Sequence, residues 1–221
     1  MGIDVDVTGN SANALGTVES CVRVNVPDPS FDGVSDHSID VYVKGDVQAP
    51  VAYDAWVTYA AVNDGCPAVG DPETGDQCLN SWDDDDDGKV NDGCPQVGAS
   101  AESGVQCAAG DRIDDDGDAI VHVAAPDTDT LIKMPGATDL ANESLPDSDG
   151  TFIAGVIYLE GGEGIAGDGA LVRLGLDIGG SGVVTLSLNP PPFSAYASQV
   201  GVHSVTLVPI AKLAINQDCP R

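Results

Sequence analysis

The stretch Ala170-Leu171-Val172-Arg173-Leu174-Gly175-Leu176-Asp177-Ile178, the turn Gly179-Gly180-Ser181-Gly182, and then Val183-Val184-Thr185-Leu186-Ser187-Leu188 decide the fold class. Two short runs rich in Val, Leu and Ile, separated by a glycine-rich break, read as consecutive β-strands. The same grammar recurs on either side. Ile3, Val5 and Val7 alternate with Asp4, Asp6 and Thr8, a period of two that marks a half-buried strand. Further strands are expected over Val18 to Val26, Ser38 to Val43, Ala55 to Val62, Ile120 to Val123, Thr130 to Lys133, Thr151 to Leu159, Val202 to Val208 and Lys212 to Ile215. Turn signals divide them, among them Pro27-Asp28-Pro29, Phe31-Asp32-Gly33, Gly45-Asp46 and Pro146-Asp147-Ser148-Asp149-Gly150. No helical period competes. Roughly ten short strands at this spacing predict an all-β, two-sheet sandwich of jelly-roll or immunoglobulin-like type.

The strand pattern stops between residues 63 and 118. There Asp64-Gly65-Cys66-Pro67-Ala68-Val69-Gly70 recurs as Asp92-Gly93-Cys94-Pro95-Gln96-Val97-Gly98. Thr74-Gly75-Asp76-Gln77-Cys78 likewise recurs as Ser103-Gly104-Val105-Gln106-Cys107. The chain is therefore expected to be a discontinuous sandwich of residues 1–62 and 119–221, carrying a duplicated insertion over 63–118.

Each copy of the insertion runs into acids that fit D-x-D-x-D-[GA]-x-V. A hard cation takes six to eight oxygens, and alternate residues of a tight loop turn their carboxylates to one centre. Asp83, Asp85 and Asp87 are expected around one calcium ion, and Asp114, Asp116 and Asp118 around another, about two ions in all. The carbonyls of Lys89 and Ile120 are candidate ligands, with Asn80, Asp92 and Asp111 as supplementary ones. A single D-x-D reads as a solvated acidic loop; two registered copies favour the ion. The loops resemble those of thrombospondin type 3 repeats and dockerins. They depart from an EF-hand, because Cys94 stands where that loop carries a bidentate Glu and Gly93-Cys94-Pro95 stops an exit helix.

Six cysteines and three histidines, without a Cys-x-x-Cys or Cys/His cluster, point to disulfides rather than zinc or redox chemistry. Eleven residues separate Cys66 from Cys78 and twelve separate Cys94 from Cys107, so one small ring per copy is the preferred pairing. The competing pairing joins Cys78 to Cys94 and leaves Cys66 to Cys107. Cys21 and Cys219 then pair early and late strands, closing a loop worth ~4 kcal/mol in the chain-entropy model.

Eight basic residues against 36 acidic ones give a net charge of -28, which repels nucleic-acid phosphates and anionic lipid surfaces. No apolar run is long enough to span a bilayer, and Met1-Gly2-Ile3-Asp4 lacks the pattern of a signal peptide. Disulfides and calcium affinity nonetheless point to an extracellular or cell-surface location.

Trp56-Val57-Thr58-Tyr59, Ile120-Val121-His122-Val123, Asp147-Ser148-Asp149-Gly150-Thr151-Phe152 and Gly169-Ala170-Leu171-Val172-Arg173-Leu174 together resemble cohesin modules over about residues 38 to 190. That resemblance implies a nine-stranded jelly-roll sandwich, related to some cellulose-binding modules, that binds a dockerin in extracellular assemblies. Cohesins ordinarily lack the insertion.

No catalytic constellation emerges. His37, His122 and His203 are scattered without a nucleophile in a recognisable setting, and Glu160 and Glu163 flank an ordinary Gly-Gly turn. Asn142-Glu143-Ser144 matches a glycosylation acceptor. Pro190-Pro191-Pro192-Phe193 reads as a rigid connection. The function expected is non-catalytic: a calcium-stabilised structural module, self-assembling into a fibre or surface layer, with the Ile3 to Val7 strand either donated to a neighbouring copy or, as is commoner for an N-terminal strand, held by its own sandwich. The alternative is a cohesin-type adhesion module for a dockerin-like protein or a polysaccharide.

Overall fold

The computed structural model describes residues 1–59, 65–74, 77–78, 83–89, 91–96, 101, 103–104, 107, 121–126, 131–140, 145, 150–189, 194–208 and 210–220. Twelve strands occur among them: β1 Gly2–Asp4, β2 Cys21–Val24, β3 His37–Val43, β4 Pro50–Thr58, β5 Val121–Pro126, β6 Thr138–Asp139, β7 Thr151–Ile157, β8 Gly169–Ile178, β9 Gly182–Leu188, β10 Ala195–Ser198, β11 Gly201–His203 and β12 Ile210–Ile215. No helix among the described residues is long and apolar enough to cross a membrane.

The alternation of side chains explains the two layers. Along β8, Val172, Leu174, Leu176 and Ile178 are buried; along β9, Val184, Leu186 and Leu188; along β12, Ala211, Leu213 and Ile215; along β7, Phe152, Ala154 and Val156. A sheet with such a face must cover it, and here two sheets cover each other. The first has the order β1-β3-β8-β5; the second runs β11-β10-β4-β9-β12-β2, with β7 on the other side of β4 and β6 beyond it. The expected all-β sandwich is the fold observed.

The outer face of the first sheet is also closed. Asp4 and Asp40 lie opposite each other on β1 and β3, and Asp40 faces Arg173 on β8. Both carboxylates are fully buried. Arg173 reaches Asp40 with two parallel bonds of 2.8 Å, while Asp4 accepts from Asn10 Nδ2 at 2.9 Å and from the Glu19 amide at 3.0 Å. Donors for each acid make this burial tolerable, and the Asp4 bonds draw the Asn10–Glu19 segment over the sheet.

Three expectations need correction. Ile3 to Val7 is not a free strand for a neighbour: Ile3 pairs with Val41 of the same chain, and Met1, Ile3 and Val5 belong to the core. Its own sandwich holds this strand, the commoner outcome for an N-terminal strand. Thr130 to Lys133 is not a strand in its described part, because residues 131–133 form a turn in which the buried Lys133 amine donates to the carbonyls of Ala12 at 3.0 Å and Gly167 at 2.6 Å. Of Val202 to Val208, only the first residues form a strand, at the sheet edge, where Val200 and Val202 are exposed.

The insertion leaves from the end of β4, in one sheet, and returns at the start of β5, in the other. Its described residues between 65 and 107 form no strand.

Candidate metal centre

The two copies of the insertion are built against each other. The Gly65 amide donates to the Cys94 carbonyl at 3.1 Å, and the Gly93 amide donates to the Cys66 carbonyl at 2.9 Å. Reciprocal contacts of this kind are the mark of an approximate two-fold relation between like units. The glycines obey it too. A Cβ on Gly65 would lie 2.7 Å from the Ala101 Cβ and 3.5 Å from the Gln96 Cβ; one on Gly93 would lie 2.7 Å from the Pro72 Cβ and 3.0 Å from the Ala68 Cβ. Ala101 and Gln96 occupy in the second copy the places of Pro72 and Ala68 in the first. Both glycines also have positive φ, so the Asp-Gly-Cys-Pro motif of each copy needs Gly on two counts.

This pairing overturns the expected disulfides within the insertion. Cys66 bonds to Cys107 and Cys78 bonds to Cys94, each with a Cα separation of 5.6 Å. Under the two-fold these bridges are equivalent: each joins the leading cysteine of one copy to the trailing cysteine of the other. Rings closed within each copy would save only about 1 kcal/mol of closure entropy. The reciprocal hydrogen bonds and the packing of the two Gly-Cys segments outweigh that. The third pair, Cys21–Cys219, forms as expected, and no cysteine is free.

The first copy's acidic loop sits beside this knot. Asp83, Asp85 and Asp87 are half-buried while Asp84 and Asp86 between them are exposed. One carboxylate oxygen from each of the three lies within 4.8 Å of the others. Backbone amides hold the ring: the Asp87 amide donates to Asp83 Oδ1 at 3.0 Å and Asp85 Oδ1 at 3.2 Å, the Gly88 amide to Asp83 Oδ2 at 2.6 Å, and the Lys89 amide to Asp87 Oδ1 at 2.9 Å. Asp86 takes a left-handed φ of 62°, which turns the chain so that its neighbours converge. A Cβ on Gly70 would lie 3.6 Å from Asp87 Oδ2 and 3.8 Å from Asp85 Oδ2, so those oxygens face the Val69–Gly70 backbone.

Two more buried acids lie near this loop, outside the group of three. Asp92 is buried and accepts from the Val69 amide through Oδ2, while its Oδ1 is buried with no hydrogen-bond partner. Glu73 is buried at 1% exposure; its Oε1 accepts from the Asp84 amide at 2.6 Å, and its Oε2 has no partner. Asp87 Oδ2 is a third buried oxygen in this condition. Each such oxygen costs about 1–3 kcal/mol or more while unpaired. Burial pushes the Glu73 carboxyl up to about 7, against the opposing Asp84 and Asn91 amides and reinforced by the charges of Asp84 and Asp92. Desolvation likewise raises Asp85, against the bond from the Asp87 amide, with the charges of Asp87 and Asp92 and the side chain of Asp83 adding to it. The converging carboxylates of Asp83, Asp85 and Asp87 form an all-oxygen set that fits a hard divalent cation of calcium's kind.

No protein-family model matches the chain, and no curated protein matches it. One chain of the crystal structure of a CaDoc0917–CaCohA2 complex is similar to it, with a TM-score of 0.43 and 16% identity over 89% of this chain and 97% of that one. So loose a superposition carries no argument about site or partner. The sandwich reading stands on the strands themselves.

Of the residues expected at the metal centre, the structure brings Asp83, Asp85 and Asp87 together, places Lys89 at the end of their loop and buries Asp92 outside that group. Asn80, Asp111, Asp114, Asp116, Asp118, Ile120 and the acceptor Asn142 lie outside the described residues. Glu73 was missed. Its signal is the extended repeat Pro72-Glu73-Thr74-Gly75 against Ala101-Glu102-Ser103-Gly104, which puts a Glu at the same place in both copies.

The histidines have structural surroundings. His37 Nε2 lies 2.8 Å from the Val5 carbonyl, His122 stacks on Phe31 at 3.7 Å, and His203 stacks on Tyr196 with Nε2 2.7 Å from Ser198 Oγ. Glu160 and Glu163 are exposed.

Proposed function

We propose that this chain is a non-catalytic, calcium-stabilised structural module that works outside the cytosol, its sandwich displaying a disulfide-knotted insertion that ions hold in shape. The observation that carries this reading is the convergence of Asp83, Asp85 and Asp87 in a loop whose own amides already orient the carboxylates. Preorganised oxygens of one charge sign stabilise the loop only when a cation joins them; without it they repel. Three disulfides suit an oxidising compartment, where calcium is also abundant. The acid-rich surface keeps such a module away from polyanions, and the first strand packs in its own core.

The test is calorimetric titration of the chelator-stripped protein with calcium, paired with hydrogen exchange. Binding is expected, together with slowed exchange at the amides of Val69, Asp87, Gly88 and Lys89. A stripped protein that takes up no calcium and exchanges identically with and without it would end this reading.

A further inference from the structure

Glu73 and Asp92 are the two most deeply buried acids of the insertion among the described residues, at 1% and 2% exposure. They are tied together, because the Glu73 amide donates to the Asp92 carbonyl at 3.2 Å. Each uses one carboxylate oxygen on a backbone amide and leaves the other buried and unpartnered: Glu73 Oε2 and Asp92 Oδ1. The amides they use locate them. Asp84, which donates to Glu73, stands between two members of the acidic ring, and Val69, which donates to Asp92, adjoins the Gly70 backbone that Asp85 and Asp87 face.

A buried carboxylate with one oxygen lacking a donor is costly on its own; two that repel each other are worse. A fold that keeps both, each held by one oxygen with the other bare, is arranged for something that takes oxygen lone pairs and brings positive charge. We propose that Glu73 and Asp92 are cation ligands that join Asp83, Asp85 and Asp87 when the ion binds, closing in from positions outside the group those three form. This rests on the calcium reading above and extends it. The centre then draws on three separated segments: the Pro72–Thr74 stretch, the acidic loop and the leading Asp of the second copy. Cation binding fastens the two copies to each other as well as ordering a loop.

The experiment is calorimetric titration with calcium alone of wild type, Glu73→Gln, Asp92→Asn and Asp85→Asn, each checked for three disulfides and for its melting temperature in chelator. The carboxamide introduced in Glu73→Gln or Asp92→Asn keeps a carbonyl oxygen that accepts from the Asp84 or Val69 amide, so the fold is kept while the charge goes. Calcium affinity is expected to fall about tenfold to a hundredfold in both variants. Their melting temperature in chelator is expected to equal or exceed that of wild type, because a buried repulsion has been removed. A purely structural role for the two acids predicts the reverse pattern, unchanged affinity with a lower melting temperature in chelator, and that result overturns the proposal. Should Glu73→Gln fail to fold, Asp92→Asn gives the same readout. Loss of binding in Asp85→Asn with none in the other two sinks this inference and leaves the calcium reading standing; a wild type that binds no calcium sinks both.

Discussion

The sandwich and the insertion of this chain solve the same problem with opposite materials. In the sandwich, the buried interior is Val, Leu, Ile, Phe and Tyr from facing strands. In the described part of the insertion, the buried side chains are Cys66, Cys78 and Cys94 together with Glu73, Asn91 and Asp92. Not one is aliphatic or aromatic. Where the described residues bury no hydrocarbon they gain little from leaving water, so their order must come from covalent bonds and electrostatics. The first region should respond to lost methylenes and ignore chelators; the second should do the reverse.

The sharpest way to break that contrast is a cavity in the sandwich. Leu176→Ala, at a fully buried position of β8, should cost about 3–5 kcal/mol in urea unfolding. Calcium affinity should stay at the wild-type value, since no residue of the centre contributes to that core. A parallel loss of affinity would mean that the insertion borrows its order from the sheets. Next in size is the knot. Removing Cys78–Cys94 as a Ser/Ser pair opens a ring of 16 residues' separation, worth about 3 kcal/mol in the chain-entropy model. That loss should appear as faster exchange and proteolysis confined to the insertion, with the exchange protection of β8 and β12 unchanged.

The smallest effect tests the polar exception within the sandwich. Burial lowers the Lys133 ammonium to about 8, although Asp168 opposes the shift. In the unfolded chain a lysine keeps its proton to about 10.4, so between those values the unfolded state binds more protons and stability rises with pH. Below about 8 both states are protonated and the slope vanishes. Thermodynamic stability should therefore gain up to about 1 kcal/mol between pH 8 and 9 relative to Lys133→Met, solvent screening trimming the full value. Equal slopes for the two proteins would show that the buried amine is not strained by its surroundings.

The same contrast explains what could be read before any coordinates. Strands β3, β7, β8, β9 and β12 follow from alternation, because each has a face that only another sheet can cover. Strand β10 was missed: Ala195-Tyr196-Ala197-Ser198 carries one large apolar side chain and follows a proline run, so periodicity is silent. Leu131-Ile132-Lys133 imitates a strand, yet its lysine is drawn inward by two carbonyls that lie 121 and 34 residues away in sequence. In the insertion, the Asp83, Asp85, Asp87 ring was legible because ligand spacing is local. Glu73 was not, since a lone acid after a proline has no spacing to read until the copies are aligned beyond Thr74. The crossed disulfides were illegible for a related reason. Loop entropy separates the pairings by too little to decide them, and the deciding contacts, Gly65 to Cys94 and Gly93 to Cys66, are tertiary.

The three bridges also nest: Cys78–Cys94 lies inside Cys66–Cys107, which lies inside Cys21–Cys219. Concentric staples make the chain behave as a closed circuit. A single backbone cut anywhere between Cys21 and Cys219 leaves every residue on one covalent molecule, and a cut inside the insertion is fenced by a further staple. For a protein exposed to foreign proteases, damage at one point would change the path of the chain without releasing a fragment, and a nicked molecule would still migrate as one species until reduced.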